Sequence, residues 1–190
     1  PQIVSAEPTH KQLPRLIVMP DQTASLRIAI VGCGRIGGRH AGHIRKVGKL
    51  VATCDTDLAR AEEFAKEDGA QAYDSIQKML VNADHIDVVS ICSPNGLHAE
   101  HTIAALQAGC HVLCEKPMAL TAQDCGAMIQ AAERANRRLF VVKQNRFNPP
   151  VAALKQAIED GKLGRIFSVQ LNCFWNRRPD YYLNDPWKGS

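Results

Sequence analysis

A glycine-rich segment is the first part of the sequence whose residue types and spacing could do chemistry. Gly32, Gly34 and Gly37 form a GxGxxG pattern that follows a short apolar run and opens a helical pattern. Gly32 allows a tight turn, Gly34 lets the backbone approach a pyrophosphate, and Gly37 permits close helix–strand packing. The start of the helix then faces the phosphate charge. The spacing predicts a dinucleotide-binding turn, and a purely structural glycine turn is the alternative.

An acidic residue indicates which dinucleotide this turn would bind. Asp55 ends the second apolar run, 18 residues after Gly37, where a carboxylate binds the ribose hydroxyls of NAD. A carboxylate also repels a 2′-phosphate, so the sequence favours NAD over NADP. Arg35, inside the motif, could still pair with a phosphate. The alternative role for Asp55 is to cap the next helix.

Two further polar loops follow apolar runs. They are Ser93-Pro94-Asn95-Gly96-Leu97-His98 and Cys114-Glu115-Lys116-Pro117. Lys116 needs an explanation, because a buried ammonium without a partner is unfavourable. Either a salt bridge or contact with a substrate would provide one. His98 could equally cap a helix or lie at the surface.

Alternating strands and helices must position these loops. Strands are predicted at Leu26–Val31, Leu50–Cys54, Ile86–Cys92, His111–Cys114 and Leu139–Val142, and helices at about 35–48, 57–68, 75–82, 97–108 and 121–136. Runs that are apolar on both faces and alternate with helices indicate a parallel sheet covered on both sides. The predicted fold is a doubly wound α/β domain, which binds ligands at the carboxyl ends of its strands. Thr121 and Asp124 predict a cap on the last of these helices.

The pattern changes after Asn148-Pro149-Pro150. A helix is predicted over 151–160, and Arg165–Trp175 alternates as a longer, half-polar strand that needs partners in a sheet. We therefore expect a flexible arm over 1–25 and a complete domain over 26–148. Residues 149–190 would be the incomplete start of a second α/β domain.

Composition excludes several classes of protein. The 190 residues are 45% hydrophobic, but no apolar run approaches the roughly 18 residues of a membrane span. The seven cysteines are scattered through mostly apolar runs, which is typical of buried, reduced thiols rather than of a metal site. The first twenty residues lack the apolar stretch of a secretory signal. We expect a cytoplasmic protein without a metal.

Positive charge and aromatic rings concentrate in the last third of the chain. Residues 134–190 carry 11 basic and 4 acidic side chains, and eight of the ten aromatic residues. Such a segment suggests an anionic partner, with a solvated basic face as the plainer explanation. Single-stranded nucleic acid would also fit this composition, but no recognised nucleic-acid motif accompanies it.

Three features together resemble the Gfo/Idh/MocA family of nicotinamide-dependent sugar oxidoreductases. They are GCGRIGGRH at 32–40, SPNGLHAEHTIAALQAGCHVLCEKPMALT at 93–121 and the change of pattern near 150. The resemblance covers residues 26–190 and implies a Rossmann domain followed by an α/β domain, with the sugar between them. Residues 141–182 are most similar to the dehydrogenases that act on the 3-hydroxyl of UDP-N-acetylglucosaminuronic acid.

The resemblance also implies a role for each candidate residue. Lys116 would be catalytic and contact the substrate, either taking the proton of the reacting hydroxyl or hydrogen-bonding the developing alkoxide. NAD would be bound by Gly32, Gly34, Arg35, Ile36, Gly37, Asp55, Ser93, Pro94, Asn95, His98, Glu115, Lys116, Pro117 and Gln144. The substrate, an anionic sugar or sugar nucleotide, would be bound by Asn145, Arg146, Trp175, Arg177 and Arg178.

The chain departs from the family in one respect, and two alternative functions stay open. Family members carry an Asp and a His in the second domain that this chain does not contain, so we expect little or no turnover from it alone. The intact enzyme is expected to be a homo-oligomer without nucleic-acid or membrane partners. The alternative functions are an inositol or free-aldose dehydrogenase of the same family, and a nicotinamide-binding module without catalysis. Only the module would keep working after Lys116 is replaced.

Overall fold

A parallel sheet forms the centre of the molecule. The computed structural model describes residues 25–183. The strands are β1 (Leu26–Val31), β2 (Gly48–Cys54), β3 (Gln71–Tyr73), β4 (Val88–Ile91), β5 (His111–Cys114) and β6 (Leu139–Val141). They are all parallel, in the order β3-β2-β1-β4-β5-β6. This is the predicted Rossmann fold, and its strand order reverses between β1 and β4, where such sheets bind their ligands.

In the described residues, five α-helices connect these strands close to the predicted positions, and two more follow β6, of which the last was not predicted. They are α1 (Arg35–Val47), α2 (Leu58–Ala65), α3 (Ile76–Asn82), α4 (His98–Gln107), α5 (Ala122–Ala135), α6 (Pro149–Glu159) and α7 (Asp180–Leu183). The predicted cap on α5 is present, since the Thr121 hydroxyl accepts a hydrogen bond from the Asp124 N–H at 3.0 Å. The α2 cap is Asp57, which accepts from the Arg60 N–H, so Asp55 is left for another role.

The core lies on both faces of the sheet, because the central strands β1, β2 and β4 carry consecutive buried residues and so bury side chains on both sides. On one face Ile28, Ile30 and Leu50 pack against Ala41 and Ile44 of α1. The opposite face has a larger cluster that includes Ala29, Val31, Val89, Val112, Leu106 and Met128. Burying one such aliphatic side chain stabilises the fold by roughly 1.5–3 kcal/mol. The packed sheet therefore fixes the positions from which the loops at its carboxyl edge begin.

The prediction of a strand at Arg165–Trp175 is wrong. This segment has no regular secondary structure, and Leu171 and Phe174 are 89% and 96% exposed. A strand needs a neighbour to pair its backbone groups, and no strand pairs with this segment within residues 25–183. The helix predicted just before it is present as α6. The arm predicted over 1–25 lies, apart from Ser25, outside the described residues.

Candidate cofactor and active site

The glycine loop joins β1 to α1 at the carboxyl edge of the sheet. Gly32 has a φ of +99°, and a Cβ at this position would lie 2.5 Å from the Cys92 carbonyl oxygen. A Cβ on Gly37 would collide with the Gly32 carbonyl. Gly34 differs, because a Cβ there would have no heavy atom within 4 Å. Two of the glycines thus allow close packing, and the third borders open space at the start of α1.

The start of α1 suits an anion. Its N-cap is Gly34, no side chain caps its first turn, and that turn has no acidic residue. The first N–H groups of a helix lack intrahelical partners and carry partial positive charge. The phosphates of a dinucleotide would supply the missing acceptors. Arg35 is exposed in this turn and Ile36 is half-buried, so the residues present fit the pyrophosphate of NAD.

Asp55, directly after β2, is tied to the glycine loop. Its Oδ2 accepts from the Cys33 N–H at 2.9 Å, and its Oδ1 accepts from the Asp57 N–H at 3.0 Å. The Arg60 guanidinium lies 3.7 Å from Oδ1. A carboxylate has about four acceptor positions, so these contacts leave capacity for ribose hydroxyls. The same contacts hold the carboxylate beside the loop.

The 93–98 loop lies against the glycine loop, as the closeness of Gly32 to the Cys92 carbonyl shows. His98, at its end, is only 1% exposed, so it is not a surface residue. Its Nδ1 lies 2.6 Å from the Pro117 carbonyl oxygen and its Nε2 lies 2.9 Å from the Ser93 carbonyl oxygen. His98 therefore ties the two polar loops together rather than offering a free ring nitrogen to a cofactor. Pro94 is exposed and Asn95 is half-buried.

Lys116 follows β5 and is exposed, whereas Glu115 beside it is buried. The Lys116–Pro117 peptide bond is cis. No residue within 25–183 forms a hydrogen bond or ion pair with the Lys116 ammonium, so the salt bridge considered from the sequence is not found there. The apolar strand ends at Cys114, and the ammonium is not buried. Lys116 is available to a ligand at the carboxyl edge.

A polar network beneath Lys116 was missed from the sequence. His40 of α1 approaches the Glu115 Oε1 with its Nε2 at 3.0 Å and the Ser90 hydroxyl with its Nδ1 at 2.7 Å. Burial raises the pKa of Glu115, but hydrogen bonds from His40 and the Lys116 N–H together hold that pKa below its usual value. One signal was available, because His40 lies on the same side of α1 as the buried Gly37, Ala41 and Ile44.

The predicted substrate residues lie after the sheet. Gln144, Asn145 and Arg146 form a short exposed turn directly after β6. Further along, the Arg177 guanidinium stacks on the Trp175 ring at 4.2 Å and on the Tyr181 ring at 4.5 Å. These contacts stay within the segment 175–181 and do not join Trp175 or Arg177 to the polar loops. Arg178, beside this stack, is exposed.

The thiols near the glycine loop, those of Cys33, Cys54 and Cys92, are buried. Burial, followed by the nearby Asp55 charge, raises the pKa values of Cys33 and Cys54 to about 12. Burial also raises the pKa of Cys92 to about 12. Five of the seven cysteines are buried as the sequence indicated, but Cys125 is half-buried and Cys173 is exposed. In the described part of the chain, no three potential metal ligands come together.

The family model for Gfo/Idh/MocA oxidoreductases, described as an oxidoreductase family with an NAD-binding Rossmann fold, matches residues 26–143. The chain belongs to this family. It is also 40% identical over 149 residues to the D-glucoside 3-dehydrogenase of Escherichia coli K12, which is 76% of this chain and 42% of that enzyme. The family assignment identifies residues 26–143 as the NAD-binding Rossmann domain of an oxidoreductase family, in agreement with the glycine cradle.

Two solved dehydrogenase structures differ in how much of this chain their similarity covers. The WlbA dehydrogenase of Chromobacterium violaceum, solved with NADH and UDP-GlcNAcA, has a TM-score of 0.86 and 38% identity over 92% of this chain. The myo-inositol 2-dehydrogenase of Lactobacillus plantarum has a TM-score of 0.68 and 32% identity over 75% of it. The chain covers 51% and 43% of these two structures, about half of their length or less. No helix over residues 25–183 is long and apolar enough to span a membrane.

Proposed function

We propose that the protein is an NAD-dependent dehydrogenase of a sugar nucleotide, acting on the 3-hydroxyl of a UDP-N-acetylhexosaminuronate. The observation that carries this proposal is the extent of the similarity to WlbA. It covers 92% of the chain, whereas the similarity to the inositol dehydrogenase covers 75%. The greater extent of the similarity to WlbA favours a sugar-nucleotide substrate over inositol.

Lys116 is proposed to act at the reacting hydroxyl. Its ammonium is exposed at the carboxyl edge of the sheet, and its loop is tied by His98 to the loop beside Gly32. Bound NAD would accept the hydride that leaves the carbon. Lys116 would either take the hydroxyl proton as a general base or donate a hydrogen bond to the developing alkoxide. In both cases the side chain must be free of other partners, as it is within residues 25–183.

The basic and aromatic segment after the sheet is proposed to recognise the anionic part of the substrate. Arg177 is held between two rings, and each such contact at an exposed site contributes about 0.5–1 kcal/mol. Stacking leaves the edge of a guanidinium free for a carboxylate or a diphosphate. Arg146 and Arg178 would add further positive charge. We retain the proposed division into a cofactor domain over 26–148 and a substrate domain that begins at 149.

The test is a substrate panel with the intact gene product, following the formation of NADH. UDP-N-acetylglucosaminuronate should reduce NAD faster than UDP-N-acetylglucosamine, inositol or free aldoses. Lys116→Met should lower kcat by about 10²- to 10⁴-fold. Arg177→Ala should raise KM most for the uronate and little for a neutral substrate. A preference for inositol would overturn the substrate assignment, and unchanged activity in Lys116→Met would remove Lys116 from the mechanism.

A further inference from the structure

A buried polar network connects the helix of the cofactor cradle with the lysine loop. His40 in α1 lies between the Ser90 hydroxyl and the Glu115 carboxylate, at 2.7 Å and 3.0 Å. The side chains of His40 and Glu115 are only 11% and 9% exposed. The second carboxylate oxygen, Glu115 Oε2, accepts the backbone N–H of Lys116 at 3.0 Å. Each end of the network therefore meets a part of the proposed active site.

The chemistry of these groups fixes the direction of the hydrogen bonds. An ionised carboxylate only accepts, so the His40 Nε2 must carry a proton and donate it to Glu115. Ser90 has a hydroxyl that can both donate and accept, so it satisfies the His40 Nδ1 whether the ring is neutral or charged. Glu115 thus keeps two donors, one on each oxygen. A buried carboxylate that loses one of two donors is strongly disfavoured.

We propose that His40 is a positioning residue for Lys116 and acts through the Glu115 carboxylate. His40 holds Glu115 in the orientation in which Oε2 receives the Lys116 N–H. Because α1 begins at the glycine cradle, the same contact fixes the lysine relative to the bound cofactor. The catalytic consequence rests on the proposed function, in which Lys116 contacts the reacting hydroxyl.

Two replacements of His40 distinguish the contribution of Nε2, which contacts Glu115, from that of Nδ1, which contacts Ser90. His40→Gln places an amide nitrogen near the position of Nε2, so it can still donate to Glu115. His40→Asn is shorter and can reach Ser90 but not Glu115. His43, exposed one turn further along α1, provides the matched control His43→Asn. Glu115→Gln is a second test that leaves His40 in place and removes the carboxylate charge.

The direct readout is hydrogen exchange of the Lys116 amide in the 190-residue chain, followed by NMR at constant pH. His40→Asn removes the contact that orients the Glu115 carboxylate, and Glu115→Gln replaces that carboxylate by a neutral amide. Each change should accelerate the exchange by about 10- to 100-fold. His40→Gln and His43→Asn should exchange like the wild type. Wild-type exchange of Lys116 in either His40→Asn or Glu115→Gln would overturn the proposal. If His40→Asn does not fold, Glu115→Gln tests the link between Glu115 and the Lys116 N–H, and wild-type exchange there overturns the proposal.

The second readout is catalysis in the intact gene product. His40→Asn should lower kcat by about 10²-fold while the KM for NAD stays within about twofold, since a small displacement of a catalytic group has such an effect. His40→Gln should recover most of the rate. Equal losses in the Gln and Asn variants would overturn the positioning role. Absence of turnover in the wild type would instead refute the proposed function, and the exchange experiment would still decide the role of His40.

Discussion

Residues 26–143 and residues 144–183 use apolar side chains in opposite ways. In the first region they are buried on both faces of a parallel sheet, as Ile30 and Val89 are. In the second region they are exposed, as Leu171 and Phe174 are. Both regions contain β-branched and aromatic residues, so composition alone does not distinguish them. The difference shows that an apolar segment becomes core only when neighbouring elements cover it.

The same contrast applies to the candidate site. The cofactor side is held by contacts between distant parts of the chain, including Asp55 with the glycine loop and His98 with two loops. The proposed substrate side is held by local contacts, chiefly the stack of Arg177 on Trp175 and Tyr181. Cofactor binding should therefore depend on the packing of the sheet, whereas substrate recognition should depend on a short exposed segment.

The largest expected difference between the two regions is in cysteine reactivity. A thiol with a pKa of about 12, as for Cys33, Cys54 and Cys92, has roughly one thiolate in 10⁴ molecules at pH 8, and its burial also blocks the reagent. Cys173 is exposed. Alkylation of the native chain, followed by peptide mass spectrometry, should therefore label Cys173 at least about 10³-fold faster. Similar labelling of Cys33 would show that the sheet region opens readily.

Core truncation is expected to give the next largest difference. Ile30→Ala should destabilise the fold by about 2–5 kcal/mol, because it removes buried methyl groups and leaves a cavity. Leu171→Ala should change the free energy of unfolding by no more than about 0.5 kcal/mol. Urea unfolding of both variants measures this contrast. A large effect of Leu171→Ala would mean that residues 165–175 are packed in solution.

Alanine replacements at two glycines distinguish the cost of steric crowding from the cost of an unfavourable backbone conformation. Gly32 and Gly161 both have positive φ, but only Gly32 lies against neighbouring atoms. Gly161→Ala should lower the free energy of unfolding by about 1 kcal/mol, because alanine is disfavoured in the left-handed conformation. Gly32→Ala should lower the free energy of unfolding by about 1–3 kcal/mol more than Gly161→Ala does, because the Cys92 carbonyl leaves no space for a Cβ. Equal losses in thermal unfolding would refute the crowding at Gly32.

The pH dependence of stability should report the Glu115 network. Because the folded-state pKa of Glu115 lies below its ordinary value of 4.5, its stabilising contribution is present above pH 4.5 and is lost as the pH falls through the lower, folded pKa. Glu115→Gln should remove this part of the pH dependence. Urea midpoints from pH 7 to pH 3 should therefore decline less in the variant than in the wild type. Parallel curves would contradict an ionised, hydrogen-bonded Glu115.

Much of the fold could be predicted because the relevant signals are local. The apolar strands, the glycine loop and the cap at Thr121 each occupy a few neighbouring residues. Strand β3 was missed because its three residues, Gln71–Tyr73, do not form an apolar run like the other strands. The strand at Arg165–Trp175 was wrong because alternation defines the faces of a strand but does not supply its partner.

The candidate site was only partly predictable for the same reason. The glycine and Lys116 loops were found from their types and their places after strands. The contact between His40 and Glu115 joins residues 75 positions apart, and only the folded sheet brings them together. The exposure of Lys116 depends on where β5 ends, and the burial of His98 depends on its contacts with Ser93 and Pro117. The sequence pattern describes neither.

NAD is proposed to bind in the cradle at Gly34, with Lys116 at the reacting hydroxyl. The most direct test of this proposal is calorimetric titration of NADH into the wild-type chain, Gly34→Val and Gly42→Ala. No heavy atom lies within 4 Å of a Cβ at Gly34 or at Gly42, so both variants should unfold near the wild-type temperature. We predict that Gly34→Val weakens NADH binding by at least about 100-fold, because its side chain fills the space for the pyrophosphate, while Gly42→Ala binds like the wild type. Wild-type affinity in Gly34→Val, or no NADH binding by the wild type, would contradict the account.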